Sequence, residues 1–190
     1  MSSPRPRTSS LTGDVAPQSW GILGCLATYQ TSFAGDDNRE DVSLLVLRVN
    51  LHPALVSTQA ALPGMKARGW GRIVNITSLT ILGSVEPTAY AAAKAALVSF
   101  TRGWALELAT SGITVNAVSP GPTETELFRA NNPAGSAGEA RYLAGVPMGR
   151  FGAPEEIAPT IASLLSDDAA FMTGQTLHVD GGASIGEAAF

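Results

Sequence analysis

Three short β-branched runs, separated by stretches long enough for helices, constrain this chain more than any other feature. Arg72-Ile73-Val74-Asn75-Ile76-Thr77-Ser78 follows a Gly69-Trp70-Gly71 turn and reads as a buried strand. Ile113-Thr114-Val115-Asn116-Ala117-Val118 is introduced by Gly112 and stopped by Ser119-Pro120-Gly121, and Thr176-Leu177-His178-Val179-Asp180 ends at Gly181-Gly182. An alanine-rich helix is expected over 88–109, between the first two runs, and another over 154–165 ahead of the third, with Pro154 suited to a first turn. Strands alternating with such helices predict an α/β fold with a parallel sheet and right-handed crossovers. Ligands of these sheets sit beyond the carboxyl ends of the strands, where Ser78, Pro120-Gly121 and Gly181-Gly182 fall.

Upstream, Val42, Leu44, Leu45, Val46, Leu47, Val49, Leu51, Leu55, Val56 and Leu62 are dense enough for a helix buried on much of its circumference, bent at Pro53. Residues 1–19 are rich in Ser, Pro and Thr without helical or strand periodicity, and 35–41 form a second polar break. The chain thus divides into an irregular leader over 1–40 and one domain over 41–190, since 190 residues at 45% hydrophobic content bury one sizeable core. The apolar run over 20–27 falls short of the ~20 residues that span a bilayer, so no membrane association is expected.

A net charge of −4 with 12 Lys plus Arg, scattered singly, provides no basic stripe for phosphates, which argues against nucleic acid as a partner. Cys25 is the only cysteine, so the chain forms no internal disulfide and no cysteine cluster, as expected of a cytoplasmic protein. His52 and His178 lack acidic or histidine neighbours at ligand spacing, and no metal site is expected.

Tyr90 and Lys94 are four residues apart, one turn from each other on one helix face. A phenol with an ordinary pKa near ~10 is a poor proton acceptor at neutral pH, and a neighbouring ammonium stabilises its phenolate. Taken singly, this pair also suits a surface helix, Ser78 suits a turn, and Asn50 suits a polar position at a bend.

In combination, these residues sit in a familiar framework. Gly71-Arg72-Ile73-Val74-Asn75-Ile76-Thr77-Ser78, Tyr90-Ala91-Ala92-Ala93-Lys94-Ala95-Ala96-Leu97, Val115-Asn116-Ala117-Val118-Ser119-Pro120-Gly121-Pro122 and Gly174-Gln175-Thr176-Leu177-His178-Val179-Asp180-Gly181-Gly182 resemble the short-chain dehydrogenase/reductase family, over about 42–184. The stretch 146–158 is similar to the connector of 3-oxoacyl-thioester reductases and related alcohol and sugar dehydrogenases. The resemblance implies a Rossmann-like doubly wound parallel sheet, here truncated to three strands with flanking helices. It implies NAD or NADP as cofactor, a small carbonyl or alcohol substrate, and a homodimer or homotetramer. It makes Tyr90 the acid/base and Lys94 both its tuner and the holder of the nicotinamide ribose. Ser78 would bind the substrate oxygen, and Asn50 would hold a water in the relay to Lys94. Pro120, Gly121, Thr123 and Thr125 would form the loop beneath the nicotinamide. Phe128, Leu143 and Tyr142 would line an apolar pocket under a flexible lid over 126–146.

Two departures from the family pattern stand out. Ser78 to Tyr90 spans 12 positions, one fewer than the family spacing, so Thr77 and Thr80 compete with Ser78 for the hydroxyl role. The strand-helix units that bind adenine and pyrophosphate, at ~30 residues each, cannot fit ahead of Asn50. Gly21-Ile22-Leu23-Gly24 offers glycines, but neither the family spacing nor a preceding buried strand. The run 72–78 is then expected at an exposed sheet edge, unless residues 1–35 or another chain pack over it. Two functions are open on these residues: an NAD(P)-dependent oxidoreductase acting through Asn50, Ser78, Tyr90 and Lys94, and a non-catalytic fragment or assembly subunit that binds no cofactor.

Overall fold

The computed structural model describes residues 21–23, 40–85 and 88–186. In chain order these form β1 (Gly21–Leu23), α1 (Glu40–Arg68), β2 (Gly71–Ile76), α2 (Thr88–Leu108), β3 (Ile113–Pro120), α3 (Glu126–Asn131), α4 (Ala137–Ala144), α5 (Pro154–Leu165) and β4 (Thr176–Val179). Single 3-10 turns at Leu79–Leu82 and Asp167–Ala169 follow β2 and α5. The strands lie in the order β1-β2-β3-β4 and every pairing is parallel. This is the α/β, Rossmann-like sheet expected, with one strand more.

That extra strand corrects an expectation. Gly21, Ile22 and Leu23 pair with Arg72, Ile73 and Val74, so β2 is an internal strand and not the sheet edge. A three-residue strand is too short to show an alternation of its own, and its assignment comes from its neighbour's backbone groups. Residues 1–20 and 24–39, with Cys25, lie outside the described residues, and Glu40 is already the first residue of α1.

The β-branched runs are strands because both of their faces are covered, which favours unbroken apolar sequence over alternation. Ile73, Ile113 and Val115 pack on one face against Met65 of α1 and Ala105 and Leu108 of α2. Val74, Ile76 and Val118 pack on the other against Ile157 and Leu164 of α5 and Ala169. α1 continues through Pro53 and Pro63 to Arg68. Among the described residues no helix is long and apolar enough to cross a membrane.

Polar residues inside the strands tie the layers together. Asn75 donates to Thr101 of α2 at 2.9 Å, and Asn116 donates to the Met172 carbonyl at 2.8 Å while accepting from Gln175 N. At the amino ends of the strands the buried Arg72 donates to the carbonyls of Gly71, Gly112 and Ser166 and to Asp167, which also accepts from the Trp70 indole at 2.8 Å. This structural lock occupies one end of the sheet and leaves the carboxyl end for chemistry.

Candidate active site

α1 and α2 run side by side, antiparallel to the strands, so their amino-terminal turns stand at the carboxyl rim of the sheet. Val46 of α1 packs against Ala89 and Tyr90, which sets Tyr90 in the first turn of α2, almost wholly buried. The small side chains of Ala89 and Ala93 let α2 lie close to its neighbours. One turn on, Lys94 is fully buried; its Nζ donates to the Ile76 carbonyl at 3.0 Å and lies 5.5 Å from the centre of the Tyr90 ring. The lysine is thus aimed at the last residue of β2, two residues before Ser78.

Ser78 caps the 3-10 turn Leu79–Leu82, where its Oγ accepts from Thr80 N at 3.3 Å. Thr77, by contrast, points into the sheet and donates to the Val118 carbonyl at 3.0 Å. Thr77 is therefore spent on the strand ladder, and the Thr80 hydroxyl is buried without a hydrogen-bond partner. Of the three hydroxyls, Ser78 alone bears on the ionisation of Tyr90. Burial pushes the Tyr90 phenol above its usual range, the hydrogen bond with Ser78 pulls it back down, and the nearby Tyr142 phenol adds a smaller push upward. The net direction is opposite to that expected from lysine tuning alone, because desolvation of the phenolate outweighs its partners here.

Asn50 lies on α1 one turn beyond Val46, buried, and its Nδ2 donates to the Val46 carbonyl at 2.9 Å. Its Oδ1 is buried and has no hydrogen-bond partner. Such an acceptor costs about 1–3 kcal/mol when left dry, so it fits a seat for a small donor. Pro53 lacks the N–H that would serve the carbonyl of Val49, which leaves a second acceptor on the same turn.

At the end of β3, Gly121 N donates to the Val179 carbonyl at 3.0 Å, and a Cβ on Gly121 would fall 2.6 Å from Asp180 Cα. Only glycine permits that approach, which brings Pro120 to the rim. The Thr123 hydroxyl donates to the Gly121 carbonyl at 3.0 Å and is consumed within the turn. Thr125 caps α3: its hydroxyl accepts from Phe128 N at 3.1 Å, and its own proton is left for another acceptor.

The segment expected as a flexible lid is two capped helices. Phe128 makes edge-to-face contacts with Tyr142 at 5.4 Å and with the buried Phe151 at 4.8 Å, so much of its apolar surface is used inside the segment. Arg129 pairs with Glu124 and Glu139, a cluster that no motif had indicated beyond the charges themselves. The Ile76 carbonyl partner of Lys94 was equally hidden, since a backbone acceptor has no sequence signature.

The structure therefore gathers Ser78, Tyr90 and Lys94 around the end of β2, sets Asn50 on the adjoining turn of α1, and holds Pro120, Gly121, Thr123 and Thr125 at the end of β3. Among the described residues no group of His, Cys, Asp or Glu could hold a metal ion.

The sequence and the fold have relatives among known proteins. The family described as enoyl-(acyl carrier protein) reductase matches residues 21–184. A 3-oxoacyl-(acyl-carrier-protein) reductase of Vibrio harveyi is 42% identical over 148 residues, which cover 77% of this chain and 58% of that protein. The chain thus spans little more than half the length of that curated relative. A solved short-chain dehydrogenase/reductase family protein superposes with a TM-score of 0.79 at 38% identity, over 90% of this chain and 69% of the other. A structure assigned as a 2-deoxy-D-gluconate 3-dehydrogenase of Agrobacterium tumefaciens, with NADP bound, superposes with a TM-score of 0.78 at 33% identity, over 86% and 66% of the two chains. With the fold, the order of its motifs and these likenesses in agreement, the chain belongs to the short-chain dehydrogenase/reductase family.

Proposed function

We propose that this chain acts as an NAD(P)-dependent oxidoreductase that exchanges hydride between nicotinamide and a carbonyl or alcohol substrate. The observation that carries this reading is the convergence of the Ser78 hydroxyl, the Tyr90 phenol and the Lys94 ammonium at the end of β2. A bound nicotinamide would supply or accept the hydride. Tyr90, a phenol already protonated at neutral pH and pushed further up by burial, gives its proton to the substrate oxygen in the reductive direction. Ser78 orients that oxygen, Lys94 stabilises the phenolate left behind, and Asn50 Oδ1 seats a water toward Lys94.

The residues present fit one half of a dinucleotide. Tyr90 and Lys94 would hold the nicotinamide ribose, and the turn of Pro120, Gly121, Thr123 and Thr125 would face the ring, with the spare proton of Thr125 for its carboxamide. The sequence offers no glycine triplet after a buried strand for the pyrophosphate. That observation favours a second reading, a catalytically idle assembly subunit.

By likeness to the relatives, the substrate is a 3-oxoacyl thioester, a sugar or a small alcohol. Leu44 and Leu45 of α1 are 56% and 51% exposed and Leu106 of α2 is 81% exposed, which suits burial of these helices in a homodimer or homotetramer.

Calorimetric titration of the purified chain with NADH and NADPH, with Lys94→Ala as control, tests the proposal. Binding that Lys94→Ala weakens, with turnover that Tyr90→Phe abolishes, is expected. A folded wild type that binds neither nucleotide would leave the assembly subunit as the reading.

A further inference from the structure

α3 and α4 have 6 and 8 residues, too few for either helix to be stable by itself, and they are joined by Asn132-Pro133-Ala134-Gly135-Ser136. Beside their caps and the Phe128–Tyr142 contact, one guanidinium ties them together. Arg129 Nε and Nη2 both reach Glu124 Oε1, at 2.7 and 2.6 Å, in the turn that follows β3. Its Nη1 donates to Glu139 Oε1 on α4, and the other carboxylate oxygen of Glu139 accepts from Gly135 N at 2.6 Å. The guanidinium also lies 5.2 Å above the ring of Phe151, which anchors Phe128 and, through it, Tyr142.

We propose that Arg129 is a positioning residue that fastens α4, with Tyr142, to the Pro120–Thr125 turn, so that both hold one placement over the Tyr90 site. An isolated exposed ion pair contributes little. Here the arginine is 30% exposed and Glu139 is 17% exposed, two hydrogen bonds and a further ion contact converge on one rigid fork, and Glu139 is also held by the backbone. Both carboxylates act on the same cation, one from the turn before α3 and one from α4, so removing the arginine uncouples α4 from that turn. Only the kinetic consequence rests on the catalytic reading of Tyr90; the fastening itself does not.

The test is hydrogen exchange on the unliganded full chain, comparing wild type, Arg129→Lys and Arg129→Met, followed by NADPH titration and steady-state kinetics. In Arg129→Met, amides of 126–146 exchange about tenfold faster or more while those of β2 and α2 are unchanged, and Arg129→Lys falls between. Where turnover is measurable, KM rises about tenfold with kcat within about twofold, a split that general destabilisation would not produce. Unchanged exchange in 126–146, or a uniform rise across the sheet, overturns the proposal. If Arg129→Met does not fold, Glu139→Gln decides: it must accelerate exchange in α4 locally, and a wild-type profile refutes the fastening. Absence of nucleotide binding by the wild type counts against the oxidoreductase reading alone, because the exchange pattern needs no nucleotide.

Discussion

The Lys94 ammonium lies 5.5 Å from the centre of the Tyr90 ring, in a position with no exposure to solvent. A buried cation costs several kcal/mol in desolvation, which the Ile76 carbonyl and the ring face offset in part. Lys94→Met keeps most of the volume and removes the charge. Its thermal midpoint is therefore expected to match or exceed that of the wild type, while NADPH affinity measured by calorimetry falls about tenfold or more. A lower midpoint with unaltered affinity would make Lys94 a structural residue.

Tyr90 carries its own pH signature. Burial raises its pKa and the Ser78 hydrogen bond lowers it, so Ser78→Ala moves the phenol further up. Phenolate absorbance, read as wild type minus Tyr90→Phe and then as Ser78→Ala minus the double variant, measures the shift. A raised folded-state pKa gives stability that is complete below the unfolded value of about 10 and lost as pH rises through the folded value. Tyr90→Phe is accordingly expected to resist alkaline unfolding above pH ~10 better than the wild type.

How much of this was legible follows from what each feature depends on. β2 and β3 could be read directly because burial on both faces leaves an unbroken β-branched run, and the Tyr90–Lys94 pair because helix geometry fixes its spacing. β1 was hidden, since three residues recruited by backbone pairing carry no pattern. α4 had a signature in Ser136-Ala137-Gly138-Glu139, and Ser136 Oγ does accept from Glu139 N. The glutamate side chain instead joins Arg129 and Gly135 N, a tertiary choice that the asparagine- and glycine-rich loop before it concealed.

Glu156 titrates in the acid range. Arg150 holds it with two hydrogen bonds and Ala153 N adds a third, lowering its pKa from 4.5 to about 2. A depressed carboxylate contributes stability that is present above the unfolded value and lost as pH falls through the folded value. Wild type is thus expected to exceed Glu156→Gln in thermal midpoint at neutral pH, and the gap to close between pH 4.5 and about 2. A gap independent of pH over that window would show that the pairing is without effect.

The lock at the amino ends of the strands is asymmetric, with Arg72 4% and Asp167 81% exposed. Arg72→Met withdraws a donor from the carbonyls of Gly71, Gly112 and Ser166, of which Gly112 keeps Gly71 N, and from Asp167, which keeps the Trp70 indole, and is expected to cost about 2–3 kcal/mol in urea unfolding. Asp167→Asn keeps an acceptor in a solvated place and costs about 1 kcal/mol or less. Equal losses from the two would contradict the assignment of the arginine as the buried member. Neither change lies at the carboxyl rim, so nucleotide binding should survive both.

Asn50 separates two physical accounts of one atom. Its Oδ1 is buried without a partner while its Nδ2 is engaged with the Val46 carbonyl. If that oxygen is dry, replacing the amide with an apolar group of similar shape removes an unpaired acceptor, and Asn50→Leu is more stable than the wild type with undiminished turnover. If it seats a water toward Lys94, the same change expels a molecule that bonds both, and stability falls by about 1–2 kcal/mol. The second outcome is expected, together with a loss of turnover of about tenfold or more if the proton path runs through that water. Urea unfolding and steady-state rates on one preparation distinguish the two, because a dry orphan and a hydrated seat move stability in opposite directions.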